Sequence, residues 1–428
     1  MERILITNVS NFQEKEIKIE GWVYRIRKLK NITFLVIKDR SGLIQCIFDN
    51  EVRDLNTLKI ESVISVVGIV KSSNNSLHPC EIIGNEFHII SEAQELPIEI
   101  NKKELNINLD TILNNRILSL RHEKTNSIFK IQNIIVQSFR EFLIKNDFTE
   151  IFTPKIVAEG TEGGTELFKV DYFGKTAYLA QSPQFYKQMM VGAGFERVFE
   201  VAHVYRAEEH NTSRHLNEYV SMDLEMGFIN DEFDIVNLEE KLIKYMLKSL
   251  EEKAKRYLEI LKVEVPRIEN SIPRMDFSEA ISVLREVYGK ENLEDDLDPE
   301  SEKLICSYVK EKFNCDFIFL VNYPIKKRAM YTMPFKEGGS RSFDLLFKGV
   351  EITSGGERIN NYNMLIESIK NKGLNPEHYE NYTDIFKYGM PKHGGLAIGL
   401  ERFTARLLSL ENVREASFIT RDRTRITP

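Results

Sequence analysis

The sequence predicts an α+β protein, with a small N-terminal β-barrel followed by a larger domain in which an antiparallel sheet is flanked by helices. Three observations carry this. The first ninety or so residues hold five short runs rich in β-branched and aromatic residues, separated by turn signals. From about Ile128 the apolar residues switch to a helical period. Strand-like and helical segments then alternate to the C-terminus, with no internal repeat and no low-complexity tract.

The five runs are "EIKIEGWVYRI", "ITFLVIKD", "GLIQCIFD", "SVISVVGIVKSS" and "EIIGNEFHII", with "DRSG" and "SSNNS" as turns. Five short strands in so little chain suggest a barrel of the OB-fold kind. Trp22, the only tryptophan, is expected in its core. "LPIEINKKELNINLD" loses periodicity and reads as a connector. The division is therefore a barrel over residues 1–100, a hinge over 101–122 and a second domain over 123–428. In that domain Ile128, Ile131, Ile135, Phe139 and Phe142 share one helical face. "FTEIFTPKIV" follows as a strand whose Pro154 suits an edge or an interface. The strands "TAYLAQSP", "RVFEVAHVY" and "YVSMDLEMGF" lead to the helix "FDIVNLEEKLIKYMLKSLEEKAKRYLEIL". Then come "DFIFLVNYP", "SFDLLFKGVEITSGGE", the helix "NYNMLIESIKNKG", and "GGLAIGL" opening the helix "ERFTARLLSL". The acidic run "ENLEDDLDPESEK" reads as a solvated surface turn.

The totals set limits. A 42% hydrophobic content in 428 residues suffices for a large core, and a net charge of −7 gives no global basic field for nucleic acid. Local basic patches such as "RIRKLK" (25–30) keep that partner open. Cys46, Cys80, Cys306 and Cys315 form no CxxC pair and read as reduced, buried thiols. Charges occupy the place of a signal peptide's apolar stretch, and no apolar run is long enough to span a bilayer. A cytoplasmic protein without a membrane partner is expected.

Chemistry concentrates in three places. "YRAEEHNTSRHLNE" (205–218) is a charged hairpin whose Arg206 and Arg214 offer forks of donors suited to phosphate, or else a surface salt-bridge network. "GVEITSGGER" sets Glu351 near Ser354, hard oxygen ligands suited to Mg²⁺, with Arg358 following. "GGLAIGLERF" brings glycines and then Arg402 to a helix start, where the dipole favours a phosphate; the glycines let a flat ligand approach the backbone.

In this order the segments resemble the three signature motifs of class II aminoacyl-tRNA synthetases: "FREFLIKNDFTEIFTPKIV", "VFEVAHVYRAEEHNTSRHLNEYVSMDLEMGF" and "GGLAIGLERF". "TEGGTELF", "QSPQFYKQ", the "EEHN" wording and the tail "RDRTRITP" resemble the aspartate enzymes, in the shorter archaeal and eukaryotic-like form without the bacterial inserted domain. His203 and Thr420 stand where that family commonly has proline.

The resemblance implies ATP-dependent activation of L-aspartate and its transfer to the 3′ end of tRNA(Asp), with tRNA(Asn) an open second acceptor, by a homodimer using Mg²⁺. It implies an aspartate site of Glu162, Gln184, Lys187, Arg206, Asp344, Ser354 and Arg358. Lys187 and Arg358 would hold the side-chain carboxylate, with Asp344 the ion-pair partner of Lys187. Asparagine would then leave two cations uncompensated. ATP would lie against Arg206, Glu208, Arg214, His215, Leu216, Glu351, Gly399, Leu400, Glu401 and Arg402. Arg206, Glu351 and Arg402 would be catalytic, and Glu351 and Ser354 would hold the metal. Phe34, Gln45 and Arg25 would read the anticodon. Tyr24 and the loop 77–79 would bear on the choice of tRNA. The alternatives are an asparaginyl-tRNA synthetase and an amide-forming relative that makes aspartyl-adenylate.

Overall fold

The structure is a computed structural model, and it describes residues 1–50, 55, 57–74, 78–161, 166–209, 212–291, 293 and 295–428. Contacts divide the chain into two compact units, Met1–His122 and Glu123–Pro428.

In the first unit β1 (Glu16–Lys28), β2 (Ile32–Lys38), β3 (Leu43–Asp49), β4 (Val63–Ser72) and β5 (Cys80–Ser91) close a barrel in the order β1-β2-β3-β5-β4. Strand alternation fills it: Ile17, Ile19, Val23, Leu35, Cys46, Phe48, Ile64, Val66 and Ile82 point inward, and Ile6 and Val9 of a preceding 3₁₀ turn add to the core. Trp22 is not part of that core. It shares the outward phase of Glu20 and Tyr24, is half-buried, and lies under the Arg121 guanidinium at 5.4 Å. The connector is also more ordered than its composition suggests. α1 (Leu109–Asn114) begins where the Asn108 side chain accepts from the Thr111 N–H, and α2 (Arg116–Ser119) follows.

The second unit opens with the amphipathic α3 (Glu123–Lys145), whose face of Ile128, Ile131, Ile135, Phe139 and Leu143 is buried. β6 (Thr149–Glu150) pairs in parallel with a later strand at the edge of the main sheet, and Pro154 lies just beyond it. β7 (Ile156–Val157), β8 (Lys169–Tyr172) and β9 (Lys175–Leu179) form a separate three-stranded sheet ahead of α4 (Gln184–Met190). β10 (Arg197–Tyr205) and β11 (Glu218–Gly227) make a long hairpin, followed by α5 (Glu232–Lys253) and α6 (Lys255–Leu261), which are broken at Ala254. Then come β12 (Arg274–Asp276), α7 (Phe277–Glu286), α8 (Pro299–Phe313), β13 (Phe317–Val321), β14 (Ser342–Phe347) and β15 (Val350–Arg358). The unit ends with α9 (Tyr362–Asn371), α10 (Glu380–Thr383), β16 (His393–Gly399) and α11 (Leu400–Leu407).

The main sheet has eight strands in the order β12-β13-β14-β15-β16-β11-β10-β6. Its centre is antiparallel, but both edges are parallel pairs, β12 with β13 and β6 with β10, so the sheet is mixed rather than wholly antiparallel. On β11 Met222 and Leu224 face the helices, while Tyr219, Ser221 and Asp223 face a cleft. The end of the acidic run is not a solvated turn. Asp298 caps α8 by accepting from the Ser301 N–H at 2.8 Å, Pro299 starts the helix, and Glu302 is buried one turn in.

Candidate active site

The cleft on the open face of the sheet has a volume of about 280 Å³. Three strand ends position its walls. From the β10–β11 hairpin come Arg206, Glu208, Arg214, His215 and Leu216; from β15 come Glu351, Ser354 and Arg358; from the β16–α11 junction come Gly399, Glu401 and Arg402. Gln184 of α4 joins them. Leu400 is buried, and Glu162, His210 and Asn211 lie outside the described residues.

The hairpin is held open by Asn217, which sequence reasoning did not single out. Its side-chain amide donates to the carbonyls of Arg206 at 2.7 Å and Glu208 at 3.1 Å. Glu208 sits between the Arg206 guanidinium, at 3.8 Å, and the His215 ring, at 3.6 Å. The Arg206 guanidinium lies over the Tyr219 ring at 5.7 Å.

Glu351 and Ser354 are three residues apart, a spacing that puts side chains on opposite faces of a regular strand. The β14–β15 register slips between Leu345 and Leu346, so that Leu345 pairs with Thr353 and Leu346 with Glu351. This bulge turns both side chains into the cleft. Burial, with the nearby Asp344 charge, pushes the Glu351 carboxyl up to about 7. A half-buried carboxylate beside a hydroxyl and a second anion suits a divalent cation. Among the described residues no three His, Cys, Asp or Glu side chains converge into a metal cage.

The expected Lys187–Asp344 ion pair does not form. Asp344 is claimed by Arg328, which donates to its two oxygens at 3.0 and 2.7 Å, reaches Ser354 Oγ at 3.3 Å and stacks on the Tyr323 ring at 3.8 Å. Lys187 is fully buried and does not line the cleft. Its ammonium lies 2.8 Å from Asp223 and 3.6 Å from Glu225. Arg358 donates to Glu225 at 3.1 Å, to Gln184 at 3.4 Å and to the Gly395 carbonyl at 3.1 Å. Burial pushes the Glu225 carboxyl up, but Arg358 and Lys187 outweigh it and hold it below its ordinary range. Both cations thus have internal counter-anions, and the inference that asparagine would leave them uncompensated does not hold. A signal for this cluster was present in "SMDLEMG": two acids alternating with apolar residues on one strand.

Two of the three glycines in "GGLAIG" serve packing. A Cβ at Gly395 would stand 2.2 Å from a Glu225 carboxylate oxygen, and one at Gly394 would crowd Ile229 and Ile235. Gly399 lines the cleft, and a Cβ there would meet only the Arg402 side chain, at 3.8 Å. Beyond it, Glu401 accepts from the Val220 N–H at 3.1 Å, and burial pushes its carboxyl up to about 8. Arg402 donates to the carbonyls of Arg214 and Glu351, both at 3.4 Å.

On the barrel, Arg25, Phe34 and Gln45 all lie on the outer face of β1–β3. Arg25 is exposed opposite Val36, Phe34 is half-buried opposite Arg27, and Gln45 donates to Glu81 at 3.1 Å. Tyr24 is half-buried, Leu77 is outside the described residues, and the four cysteines are buried and free.

A family model described as tRNA synthetases class II (D, K and N) matches residues 108–423, and one described as an OB-fold nucleic acid binding domain matches residues 17–90. The chain is 46% identical over 427 residues to an aspartate–tRNA(Asp/Asn) ligase of Thermus thermophilus, covering 100% of both chains. It is 40% identical to an aspartate–tRNA(Asp) ligase of Pyrococcus horikoshii, covering 97% of this chain and 96% of that one. The structure of an asparaginyl-tRNA synthetase from Pyrococcus horikoshii, complexed with asparaginyl-adenylate, superposes with a TM-score of 0.92 at 30% identity over 100% of both chains. With both units matched from end to end, the chain belongs to the class II tRNA synthetases of the D, K and N group.

Proposed function

We propose that this chain is an aspartate–tRNA ligase. It joins L-aspartate to ATP as aspartyl-adenylate, then passes the aspartyl group to the 3′ end of tRNA. The carrying observation is the end-to-end identity of 46% with an aspartate–tRNA(Asp/Asn) ligase, on a chain whose cleft gathers the hairpin, β15 and β16–α11 side chains together. Because Lys187 and Arg358 are internally compensated, the choice of aspartate rests on these relatives and not on a charge count.

An α-carboxylate oxygen of aspartate attacks the α-phosphorus, and the bond from that phosphorus to the bridging oxygen of the β-phosphate breaks. Pyrophosphate carries the electron pair away. The 3′-hydroxyl of tRNA then attacks the carbonyl carbon of the mixed anhydride, AMP departs, and the hydroxyl proton passes to a phosphate oxygen. No protein nucleophile is required, so the residues act by position and field. Arg206 meets the α-phosphate and spreads the charge that develops there. Glu208 accepts from the adenine amino group, with Leu216 and the backbone of Gly399 and Leu400 beside the base. Arg214, His215 and Arg402 meet the terminal phosphate, and Glu401 braces β11 beneath them. Arg358 and Gln184 hold the amino acid's side chain from a floor kept rigid by Lys187, and Glu162 takes its ammonium group. Glu351 and Ser354 would hold Mg²⁺, which would supply neutralisation of the phosphate charge; Asp344 stands behind them.

The barrel reads the anticodon through Phe34, Gln45 and Arg25, by stacking and edge contacts. Four relatives 39–46% identical to the chain are named for tRNA(Asp/Asn), which supports charging of both tRNA(Asp) and tRNA(Asn). The co-extensive match with relatives from archaea supports the short form without an inserted domain. The protein is a cytoplasmic homodimer joined through α3 and the segment to Pro154, where Phe152 is 86% exposed.

The test is aspartate- and asparagine-dependent ATP–pyrophosphate exchange, followed by aspartylation of tRNA(Asp) and tRNA(Asn) transcripts side by side. Exchange with aspartate and charging of both transcripts is the expected result. Exchange with asparagine instead would make it an asparaginyl enzyme. Adenylate without transfer to either tRNA would indicate the amide-forming relative.

A further inference from the structure

The nucleotide end of the cleft is tied together by a residue from outside the three signature segments. Glu302 sits in the first turn of α8 and is 7% exposed. One of its oxygens accepts from Arg214 Nη2 at 2.5 Å and from the Glu351 N–H at 3.3 Å. Arg402 closes the ring from the other side, donating from Nε to the Arg214 carbonyl and from Nη1 to the Glu351 carbonyl. The hairpin, β15, α8 and α11 therefore meet at one carboxylate and one guanidinium. Arg214 carries a long, rotamer-rich side chain, whose ordering opposes binding if it is left to the ligand. Its Nε is buried with no hydrogen-bond partner among the described residues, and Glu302 provides the charged anchor that fixes its direction. α8 can present that anchor because Asp298 caps it and Pro299 starts it.

We propose that Glu302 is a positioning residue for the adenylate-forming step, holding Arg214 in the conformation that receives the terminal phosphate of ATP and keeping it in register with Glu351. This rests on the reading above that Arg214 meets that phosphate. Glu302 does not line the cleft. Its effect passes through Arg214, and so depends on the β- and γ-phosphates being present.

The experiment uses the full chain and four variants: Glu302→Ala, Glu302→Gln, Arg214→Ala and the Glu302→Ala/Arg214→Ala double. Equilibrium binding of ATP and of AMP is measured by calorimetry. The KM values for ATP and for aspartate are taken from pyrophosphate exchange. Glu302→Ala is expected to raise the Kd and KM for ATP about tenfold, the loss of one charge-assisted hydrogen bond. AMP binding and the KM for aspartate stay unchanged. Glu302→Gln keeps the accepting oxygen and is expected to restore ATP binding to within about threefold of the parent. In the Arg214→Ala background, Glu302→Ala adds nothing. The proposal is overturned if Glu302→Ala weakens AMP as much as ATP, if it leaves ATP binding unchanged or tightens it, or if Glu302→Gln behaves like alanine. If Arg214→Ala itself leaves ATP binding unaltered, the reading of Arg214 fails first, and the positioning role fails with it.

Discussion

Replacing Lys187 by methionine tests the charge arrangement beneath the cleft. The ammonium is fully buried, 2.8 Å from Asp223 and 3.6 Å from Glu225. The two acids depend on it unequally. Glu225 retains Arg358 at 3.1 Å and the Gln184 amide at 3.1 Å. Apart from Lys187, neither Asp223 oxygen has a hydrogen-bond partner among the described residues, and the residue is 1% exposed, so Lys187 is its main compensation. Lys187→Met therefore strands one buried carboxylate, which costs roughly 3–5 kcal/mol. For a unit of this size that lowers the Tm by on the order of 10 °C. Adding Asp223→Asn removes the stranded charge and is expected to recover about 2 kcal/mol or more of the loss, because the pair acts as one element. Asp344→Asn in the same background is expected to be additive within about 0.5 kcal/mol, because Asp344 is bonded to Arg328. The assay is thermal and urea unfolding of the four combinations of each pair. Coupling of Lys187 with Asp344, or its absence with Asp223, would refute the arrangement.

Three further outcomes are expected. Arg206→Ala lowers kcat for aspartate-dependent pyrophosphate exchange by roughly 10²–10³-fold, the usual loss when a donor to developing transition-state charge is removed; an unchanged kcat would put Arg206 away from the reacting phosphate. Glu239 of α5 is fully buried against Thr353 without a well-formed hydrogen bond, and burial pushes its carboxyl up to about 8. Its folded value exceeds its unfolded value of about 4.3, so its contribution is fully present below that pH and is lost as pH rises through about 8. Against Glu239→Gln, which does not titrate, the parent should lose several kcal/mol, on the order of the shift, between about pH 4.5 and 8 in urea titrations. Asp298→Ala removes the α8 cap and should cost about 1 kcal/mol. The acid limb of unfolding should change as well, because the Lys290 ammonium and the Ser301 N–H hold the Asp298 carboxyl down at about 2, and that stabilisation is lost as pH falls through about 2.

What was legible in the sequence was what repeats locally. Alternation put Leu35 and Cys46 in the barrel and left Phe34 and Gln45 outside, because successive side chains on a strand take opposite faces. The same rule places Trp22 outside, in step with Tyr24, and expecting it in the core gave its size more weight than its phase. The charged hairpin and the glycine-led helix start could be located because each is a contiguous segment with its own turn chemistry. Three things were not local. The slip between Leu345 and Leu346 that unites Glu351 with Ser354 leaves no mark in composition. The partners of Lys187 and Asp344 follow from which strands are neighbours, since β11 carries Asp223 and Glu225 toward α4 while Arg328 reaches Asp344 from the segment after β13. Glu302 looked like one acid among many because its burial depends on α8 packing beside β15. The last two of these share one physical cause. Charge in this cleft is arranged in compensated pairs before any ligand arrives: Lys187 with Asp223, Arg358 with Glu225, Arg328 with Asp344, Arg214 with Glu302. A buried charge without a partner is too costly to keep, so each of these four cations takes its anion from another element of the fold. Motifs identify the groups that meet the ligand, and tertiary structure chooses the counter-ions that hold those groups in place until it comes.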